Sequence, residues 1–208
     1  MNPKEALANA RLLLVTDPRP DLVERVTAGV RGGVDIVQLR DKHATREELR
    51  PLAEELREVC ERGGALFTVN DDIELAQLSG ADGIHLGGDD ATTTQARSTL
   101  GLDTVIGRSA GGLEEARAAV KDGADYLGVG AVYATPTKPE GQVAGLDFIR
   151  ALAREGLSVP WFAIGGVTLD TAPEVAGAGA HGFAVVRAVL DADNPEAAAR
   201  ELRGLLPR

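Results

Sequence analysis

Short clusters of cationic, hydroxyl and carboxylate side chains recur along this chain, each directly after a run of apolar residues. Arginine offers a planar fork to phosphate oxygens and lysine offers a compact charge. Carboxylates are typical ligands of Mg²⁺ beside a bound phosphate. The clusters therefore predict chemistry on phosphorylated substrates, assisted by a divalent cation. They comprise residues 38–42, 70–72, 89–90, 108–109 and 135–138.

The first cluster consists of Gln38, Leu39, Arg40, Asp41 and Lys42. In a strand, successive side chains point to opposite faces, so Gln38 and Arg40 face one side while Leu39 faces the other. Lys42 then lies on the following loop. This arrangement favours a phosphate-binding site. The alternative is a glutamine inside the sheet with solvated charges at its rim.

Two aspartate pairs, residues 71–72 and 89–90, follow neighbouring strands. One or two carboxylates with waters and phosphate oxygens are a typical Mg²⁺ site, which this spacing predicts. The alternative for Asp71 or Asp72 is a helix N-cap. The sequence leaves open which of the four carboxylates contact the metal. His85 has no second histidine or cysteine at a ligand spacing, and we interpret it as a pocket or core residue without a catalytic duty.

Two hydroxyls and an ammonium group lie within four residues at Thr135, Pro136, Thr137 and Lys138, in a long loop rich in glycine and proline. Such a set is well suited to phosphate oxygens, and the loop is long enough to cover a pocket. Ser109 can donate its hydroxyl and backbone N–H to a phosphate, or cap the next helix. The sequence places no histidine beside it, so we do not expect a nucleophilic serine.

Two later strands end on Gly165-Gly166 and on Val186-Arg187. Paired glycines let a ligand approach the backbone closely, and backbone N–H groups at such strand ends often bind phosphate. The alternative is a tight turn that needs glycine for its positive φ angle. The sequence does not distinguish the two.

The elements that must position these clusters are short apolar strands alternating with longer amphipathic helices, which is typical of parallel βα units. A Gly-x-Asp or Gly-x-His triplet precedes every second strand, at residues 33–35, 80–82, 123–125 and 179–181. Four double units give eight strands, and eight parallel strands close into a barrel. An open doubly wound sheet would need a glycine-rich first turn, whereas residues 16–20 read Thr-Asp-Pro-Arg-Pro. We therefore predict an α/β fold, a single (β/α)8 TIM-barrel domain over residues 1–208.

The composition limits the possible partners. The formal net charge is −10, from 22 Lys+Arg and 32 Asp+Glu. This balance argues against nucleic-acid binding and against docking on anionic membranes. No leader and no apolar run near 18 residues is visible, so we expect a cytoplasmic protein with no membrane partner. The single cysteine, Cys60, is interpreted as a buried small hydrophobic residue.

Six motifs occur in order at successive strand ends, and together they resemble the thiamine phosphate synthase family over about Leu12 to Leu206. They read Gln-Leu-Arg-x-Lys, Val-Asn-Asp, Gly-x-His-x-Gly-x-x-Asp, Gly-x-Ser, Thr-x-Thr-Lys and Ile-Gly-Gly. The chain departs from the family pattern at three places. Gly88-Asp89 stands where a Gln-Glu pair is frequent, Ala131 where proline is frequent, and Arg187 where a serine is common. Arg187 therefore puts the identity of the thiazole-phosphate contact in doubt.

The resemblance implies a transferase that joins hydroxymethylpyrimidine diphosphate to hydroxyethylthiazole phosphate, with Mg²⁺ and a dissociative mechanism. Arg40, Lys42, Ser109 and Lys138 would be the catalytic residues, and Asp71 and Asp90 would hold the metal. The substrate-binding set would be Gln38, Leu39, Arg40, Asp41, Lys42, Asn70, Ser109, Thr135, Pro136, Thr137, Lys138, Gly166, Val186 and Arg187.

Other functions remain open at this point. A thiazole tautomerase-like isomerase would share the barrel and the phosphate site, and a non-catalytic sensor would bind thiamine phosphate without turnover. A sugar-phosphate epimerase or an aldolase would need paired acid/base carboxylates or a Schiff-base lysine. The sequence does not determine the oligomeric state.

Overall fold

Eight parallel strands form a closed barrel in which each strand pairs with the next and β8 pairs with β1. The computed structural model describes residues 2–88, 90–135 and 143–206. The predicted (β/α)8 barrel is confirmed. The strands are β1 (Leu12–Val15), β2 (Ile36–Leu39), β3 (Leu66–Asn70), β4 (Gly83–Leu86), β5 (Val105–Ala110), β6 (Tyr126–Gly130), β7 (Trp161–Ile164) and β8 (Gly182–Val185).

Helices follow the strands and surround the barrel. The longest, α3, begins at a capping box in which Thr45 and Glu48 exchange side-chain and backbone hydrogen bonds, and it ends at Gly64 in the left-handed conformation. The helices are α1 (Pro3–Ala8), α2 (Leu22–Arg31), α3 (Arg46–Gly63), α4 (Ile73–Leu78), α5 (Thr93–Leu100), α6 (Leu113–Lys121), α7 (Gly145–Glu155), α8 (Ala172–Gly177), α9 (Arg187–Leu190) and α10 (Pro195–Gly204).

Alternation along each strand divides the apolar residues into two cores. Leu14, Val37 and Leu39 belong to the outer core, which lies between the barrel and its helices. Leu13 and Ile36 belong to the inner core, which fills the barrel and is reached by Leu7 at the base of the fold. The inward positions nearest the carboxyl ends of the strands are therefore left for polar side chains.

The repeated Gly-x-Asp triplets hold the amino ends of the strands together. Asp35 accepts hydrogen bonds from the backbone N–H groups of Arg11 and Leu12, at 2.8 and 2.9 Å. Asp82 accepts one from Phe67, and Asp125 accepts one from Ile106. Each carboxylate thus binds a backbone donor of the preceding strand. This gives the repeat a structural role at the end opposite to the predicted site.

Within residues 2–88, 90–135 and 143–206, none of the helices combines the length and the hydropathy needed to cross a bilayer.

Candidate active site at the carboxyl ends of the strands

The uppermost inward positions of β2 to β5 carry four polar side chains that form two hydrogen-bonded pairs. In the first pair, Gln38 Nε2 donates to Asn70 Oδ1 at 2.8 Å. Gln38 is only 4% exposed, so its amide is fixed inside the barrel rather than solvated at the rim. The interpretation of Gln38 as an inward polar residue agrees with this position.

The second pair joins His85 Nε2 to Ser109 Oγ at 3.0 Å. The sequence placed no histidine beside Ser109, whereas the structure places His85 there. The two residues are far apart in sequence, but β4 and β5 pair so that His85 lies opposite Gly107, two residues before Ser109. The strand register brings them together, and no local sequence signal reports it.

Asp71 follows β3 directly and has φ 63°, a conformation that aspartate adopts more readily than most non-glycine residues. Its carboxyl group shares a hydrogen bond with Asp90, and Lys42 Nζ lies 3.6 Å from its Oδ2. Burial raises the pKa of Asp71 to about 6, and the neighbouring Asp90 adds to the rise, against the opposing effect of Lys42. A positive charge between the two carboxylates would relieve this crowding.

The pKa of Asp90 is shifted in the opposite direction, below its usual value. Burial alone would raise its pKa, but the hydrogen bond with Asp71, the Gly87 N–H at 2.6 Å and the nearby Lys42 and Arg108 charges together lower it. Asp90 is therefore the more readily ionised member of the pair. The two carboxylates that the sequence assigned to the metal lie side by side.

Two other acidic residues have structural partners. Asp72 caps α4 by accepting from the Leu75 N–H at 2.9 Å, and Arg46 contacts it at 2.8 Å. Although burial opposes the shift, the Arg46 hydrogen bond keeps the pKa of Asp72 below its usual range. Asp41 accepts from the backbone N–H groups of His43 and Ala44, at 2.8 and 3.2 Å. Asp72 thus takes the N-cap alternative, and the Asp41 side chain shapes the loop after β2.

The remaining residues of the first cluster divide between the site and the core. The backbone of Arg40 exchanges hydrogen bonds with the Thr16 hydroxyl, which anchors the end of β2 to the end of β1. Arg40 is half-buried and Lys42 is exposed. The side chain of Leu39 packs into the outer core, so a contact from Leu39 to a ligand at the barrel mouth would come from its backbone.

The opposite side of the mouth is formed by β6 to β8. Gly166 has φ 67°, and a Cβ atom there would lie 2.7 Å from the Cβ of Tyr133. Ile164 and Val186 pack against the inner core, and exposed Arg187 begins the four-residue helix α9. Ile164 and Val186 thus provide apolar contact surface on this side of the mouth.

The loop after β6 is tied to the end of β7 and to α8 by Tyr133, a residue that no sequence motif indicated. Its N–H donates to Gly165 O at 3.0 Å, and its hydroxyl donates to Glu174 Oε2 at 2.8 Å. Thr135 lies two residues further on and is half-buried. Pro136, Thr137 and Lys138 of the predicted phosphate-binding loop lie outside the described residues, as does Asp89.

Comparison with known proteins decides the family. The family model described as "Thiamine monophosphate synthase" matches residues 12–189. The chain belongs to this family. It is 45% identical to the thiamine-phosphate synthase of Mycolicibacterium vanbaalenii, with 99% of this chain and 98% of that protein covered. The resemblance predicted from the six motifs is confirmed.

A solved structure and a longer relative extend this comparison. The thiamine phosphate pyrophosphorylase of Pyrococcus furiosus has a TM-score of 0.86 and 36% identity, with 97% of this chain and 96% of that chain covered. The thiamine-phosphate synthase of Synechococcus sp. WH7803 is 45% identical over 98% of this chain. The chain spans 59% of the length of that cyanobacterial relative.

Proposed function

We propose that this protein is a transferase that joins hydroxymethylpyrimidine diphosphate to hydroxyethylthiazole phosphate, releasing diphosphate and forming thiamine phosphate. The observation that carries the proposal is the convergence of Asp71, Asp90 and Lys42 beside the Gln38–Asn70 and His85–Ser109 pairs. Membership of the thiamine monophosphate synthase family supports it. We further propose a single catalytic domain in a cytoplasmic protein with small-molecule partners and no nucleic-acid partner, in keeping with the net charge of −10.

The donor set at the mouth fits Mg²⁺. Asp71 and Asp90 would hold the ion, which prefers one or two carboxylates with waters and phosphate oxygens to a full protein cage. Among the described residues no group of three or more His, Cys, Asp or Glu side chains could hold a metal, so phosphate oxygens and waters would have to supply the other ligands. When bound, the ion supplies charge that stabilises the departing diphosphate.

The chain's own cations and amides bind and orient the pyrimidine diphosphate. Lys42, already within 3.6 Å of Asp71, lies where it can balance diphosphate charge next to the carboxylates. In the Gln38–Asn70 pair, the Gln38 Oε1 atom and the Asn70 Nδ2 group are not used by the shared bond and can serve as an acceptor and a donor for a heteroaromatic ring. Arg40, Ser109 and Lys138 complete the proposed pyrimidine-diphosphate contacts.

The thiazole phosphate would bind on the β6–β8 side of the mouth. Apolar Ile164 and Val186 suit a thiazole ring, while the exposed Arg187 offers a cation to its phosphate. The other proposed contacts on this side are Thr135, Pro136, Thr137 and Gly166. Two chemically different halves of one mouth support a reaction between two substrates.

The proposed reaction needs charge stabilisation more than it needs a base. The bond between the pyrimidine methylene carbon and the diphosphate oxygen breaks, and its electron pair leaves with diphosphate. The lone pair of the thiazole nitrogen then forms the new C–N bond to the pyrimidine-methyl cation. No proton must be removed from the nucleophile, so fixed cations aimed at the leaving group supply the main catalytic effect.

Diphosphate release tests this proposal. The protein is incubated with both substrates and Mg²⁺, then with the thiazole phosphate omitted and then with EDTA. We expect diphosphate and thiamine phosphate only in the complete mixture. Tight binding of thiamine phosphate without turnover would favour a sensor, and isomerisation of a thiazole phosphate would favour a tautomerase-like activity.

Lys138 gives a sharper test of leaving-group stabilisation. We expect Lys138→Ala to lower kcat by about 100-fold or more, the scale for loss of one preorganised electrostatic group. Lys121→Ala, at the exposed end of α6, is the matched control and should behave as wild type. Unchanged turnover in the Lys138 variant would remove this residue from the mechanism.

A further inference from the structure

The imidazole of His85 lies inside the barrel and contacts the hydroxyl of Ser109. In the strand register His85 pairs with Gly107, and Ser109 lies two residues further along β5. The separation between Nε2 and Oγ is 3.0 Å. His85 is 8% exposed, and Ser109 is half-buried at the next inward position of β5. The buried ring therefore contacts a side chain that faces the mouth.

Neighbouring glycines leave room for the ring in this position. A Cβ atom at Gly107 would lie 2.6 Å from His85 Nδ1, and one at Gly128 would lie 3.1 Å from Cε1. The neighbours of Gly107 in β5 and of Gly128 in β6 face outward, so both glycines face the barrel interior. A side chain at either glycine would occupy the space of the imidazole. The backbone is thus arranged around the histidine ring.

Tyr126 supports the ring from the layer below. The two ring centroids are 5.5 Å apart with planes inclined at 42°, and Tyr126 in turn packs edge-to-face on Phe162 at 5.9 Å. Aromatic contacts of this geometry add to the packing energy. Since the glycines and Tyr126 confine the imidazole, its contact with Ser109 has one geometry.

We propose that His85 is a positioning residue that holds the Ser109 hydroxyl in one rotamer, aimed at the reacting pyrimidine diphosphate. The inference rests on the proposed function. A serine hydroxyl otherwise samples three staggered positions and rotates freely. Fixing it beforehand removes an ordering cost from the reaction step, so His85 acts on turnover through Ser109 and does not itself touch substrate.

Two amide substitutions that differ by one methylene group test this idea. In His85→Gln a polar atom reaches about as far as Nε2, whereas in His85→Asn the polar group ends short of Ser109. We expect kcat of the glutamine variant within about threefold of wild type and kcat of the asparagine variant about tenfold lower. Tenfold is the kinetic equivalent of one side-chain hydrogen bond. KM for both substrates should change little.

A double-mutant cycle separates positioning through Ser109 from general damage to the core. Ser109→Ala alone should lower kcat about tenfold or more, and adding His85→Asn to it should cost less than twofold further. Leu7→Val, which alters the same inner core at the base of the fold, is the control and should leave kcat unchanged. Thermal unfolding of every variant checks that each is folded.

The outcomes are distinct. Equal turnover in the asparagine and wild-type proteins would overturn the proposal, as would independent, multiplicative losses in the double variant. If asparagine and glutamine impair turnover equally, the reach to Ser109 is irrelevant and the proposal also fails. A wild-type protein that releases no diphosphate from the two substrates would instead show that the proposed function is wrong, and the inference would fall with it.

Discussion

Asp71 combines a left-handed backbone conformation with a half-buried carboxyl group that shares a hydrogen bond with Asp90. Burial first, and the neighbouring carboxylate second, favour the protonated form of Asp71. A residue held in this state without a bound cation is poised to gain from cation binding. The same geometry makes a prediction about stability that does not depend on catalysis.

The pH dependence of unfolding should report the Asp71 carboxyl group. Its pKa is about 6 in the folded protein, above the ordinary value of 3.8, so the folded state binds this proton more tightly than the unfolded state does. Its contribution to stability is therefore fully present below about pH 4 and is lost as the pH rises through 6. Without divalent cations, the melting temperature of Asp71→Asn should rise relative to wild type between pH 4 and pH 7.

Asparagine also tolerates the left-handed conformation, which adds an offset that is the same at every pH. The test is therefore how the difference in melting temperature between Asp71→Asn and wild type changes with pH, measured by thermal unfolding in parallel buffers. Asp147→Asn, whose side chain is 97% exposed on α7, is the matched control and should give a flat difference. A flat difference for Asp71→Asn as well would contradict the assigned environment.

At the scale of elements, the aspartates of the Gly-x-Asp triplets link neighbouring strands at the amino end of the barrel. Asp125 accepts from the Ile106 N–H at 2.9 Å, from Arg97 at 2.5 Å and from Lys4 at 3.2 Å. It thereby joins β5, α5 and α1 at the amino end of the barrel. Removing the carboxylate would leave Nη2 of the half-buried Arg97 and the Ile106 N–H without this acceptor.

We expect Asp125→Ala to lower the free energy of unfolding by about 2–3 kcal/mol, because hydrogen bonds to charged groups contribute more than neutral ones. Urea unfolding measures this. Asp122→Ala, three residues earlier and exposed, should change stability by less than about 0.5 kcal/mol. Similar losses in the two variants would argue against a linking role for Asp125.

The contact between Gly166 and Tyr133 sets the position of the loop after β6. Gly166 needs both a positive φ angle and a close approach, and alanine there would place Cβ 2.7 Å from the Cβ of Tyr133. The Tyr133 hydroxyl is already fixed by Glu174 on α8. The strain would therefore shift the backbone on the proposed thiazole-phosphate side of the mouth.

Gly166→Ala should raise KM for thiazole phosphate about tenfold or more while KM for the pyrimidine diphosphate changes little. Steady-state kinetics with each substrate varied in turn give the two values. Gly177→Ala, at the end of α8 with open space around the new methyl group, is the control and should keep both KM values. An equal rise in both KM values would assign the effect to the whole mouth instead.

For the whole molecule, the net charge of −10 does not conflict with the two anionic substrates of the proposed reaction, because screening by salt limits a charge to acting on its near neighbours. Many acidic residues pair with arginines on the outer helices, as in Arg50–Glu54 and Arg62–Glu58 on α3. Lys42 lies instead beside the carboxylate pair at the mouth. Local cations, rather than the global field, would thus attract the substrates.

Salt should consequently have little effect on catalytic efficiency. At saturating Mg²⁺ we expect kcat/KM to change by less than about threefold between about 20 and 150 mM monovalent salt, because no favourable long-range field exists to be screened. Initial rates at low substrate concentration measure this ratio. A steep fall over that range would show that long-range attraction steers the substrates.

The sequence by itself determined the barrel and the composition of its mouth. Alternating strands and helices with four Gly-x-Asp or Gly-x-His triplets require eight βα units, and the carboxyl ends of parallel strands must meet at one face. Polar clusters directly after the strands therefore had to share that face.

Only the tertiary structure decided which of these residues pair with one another. Asp71 meets Asp90, and His85 meets Ser109, through the register between neighbouring strands. Asp72 was indistinguishable from Asp71 in sequence, yet it caps α4 and binds Arg46. Register and side-chain direction depend on the packing of the whole barrel, and a chain pattern that repeats every two residues carries no information about which neighbour a side chain will face.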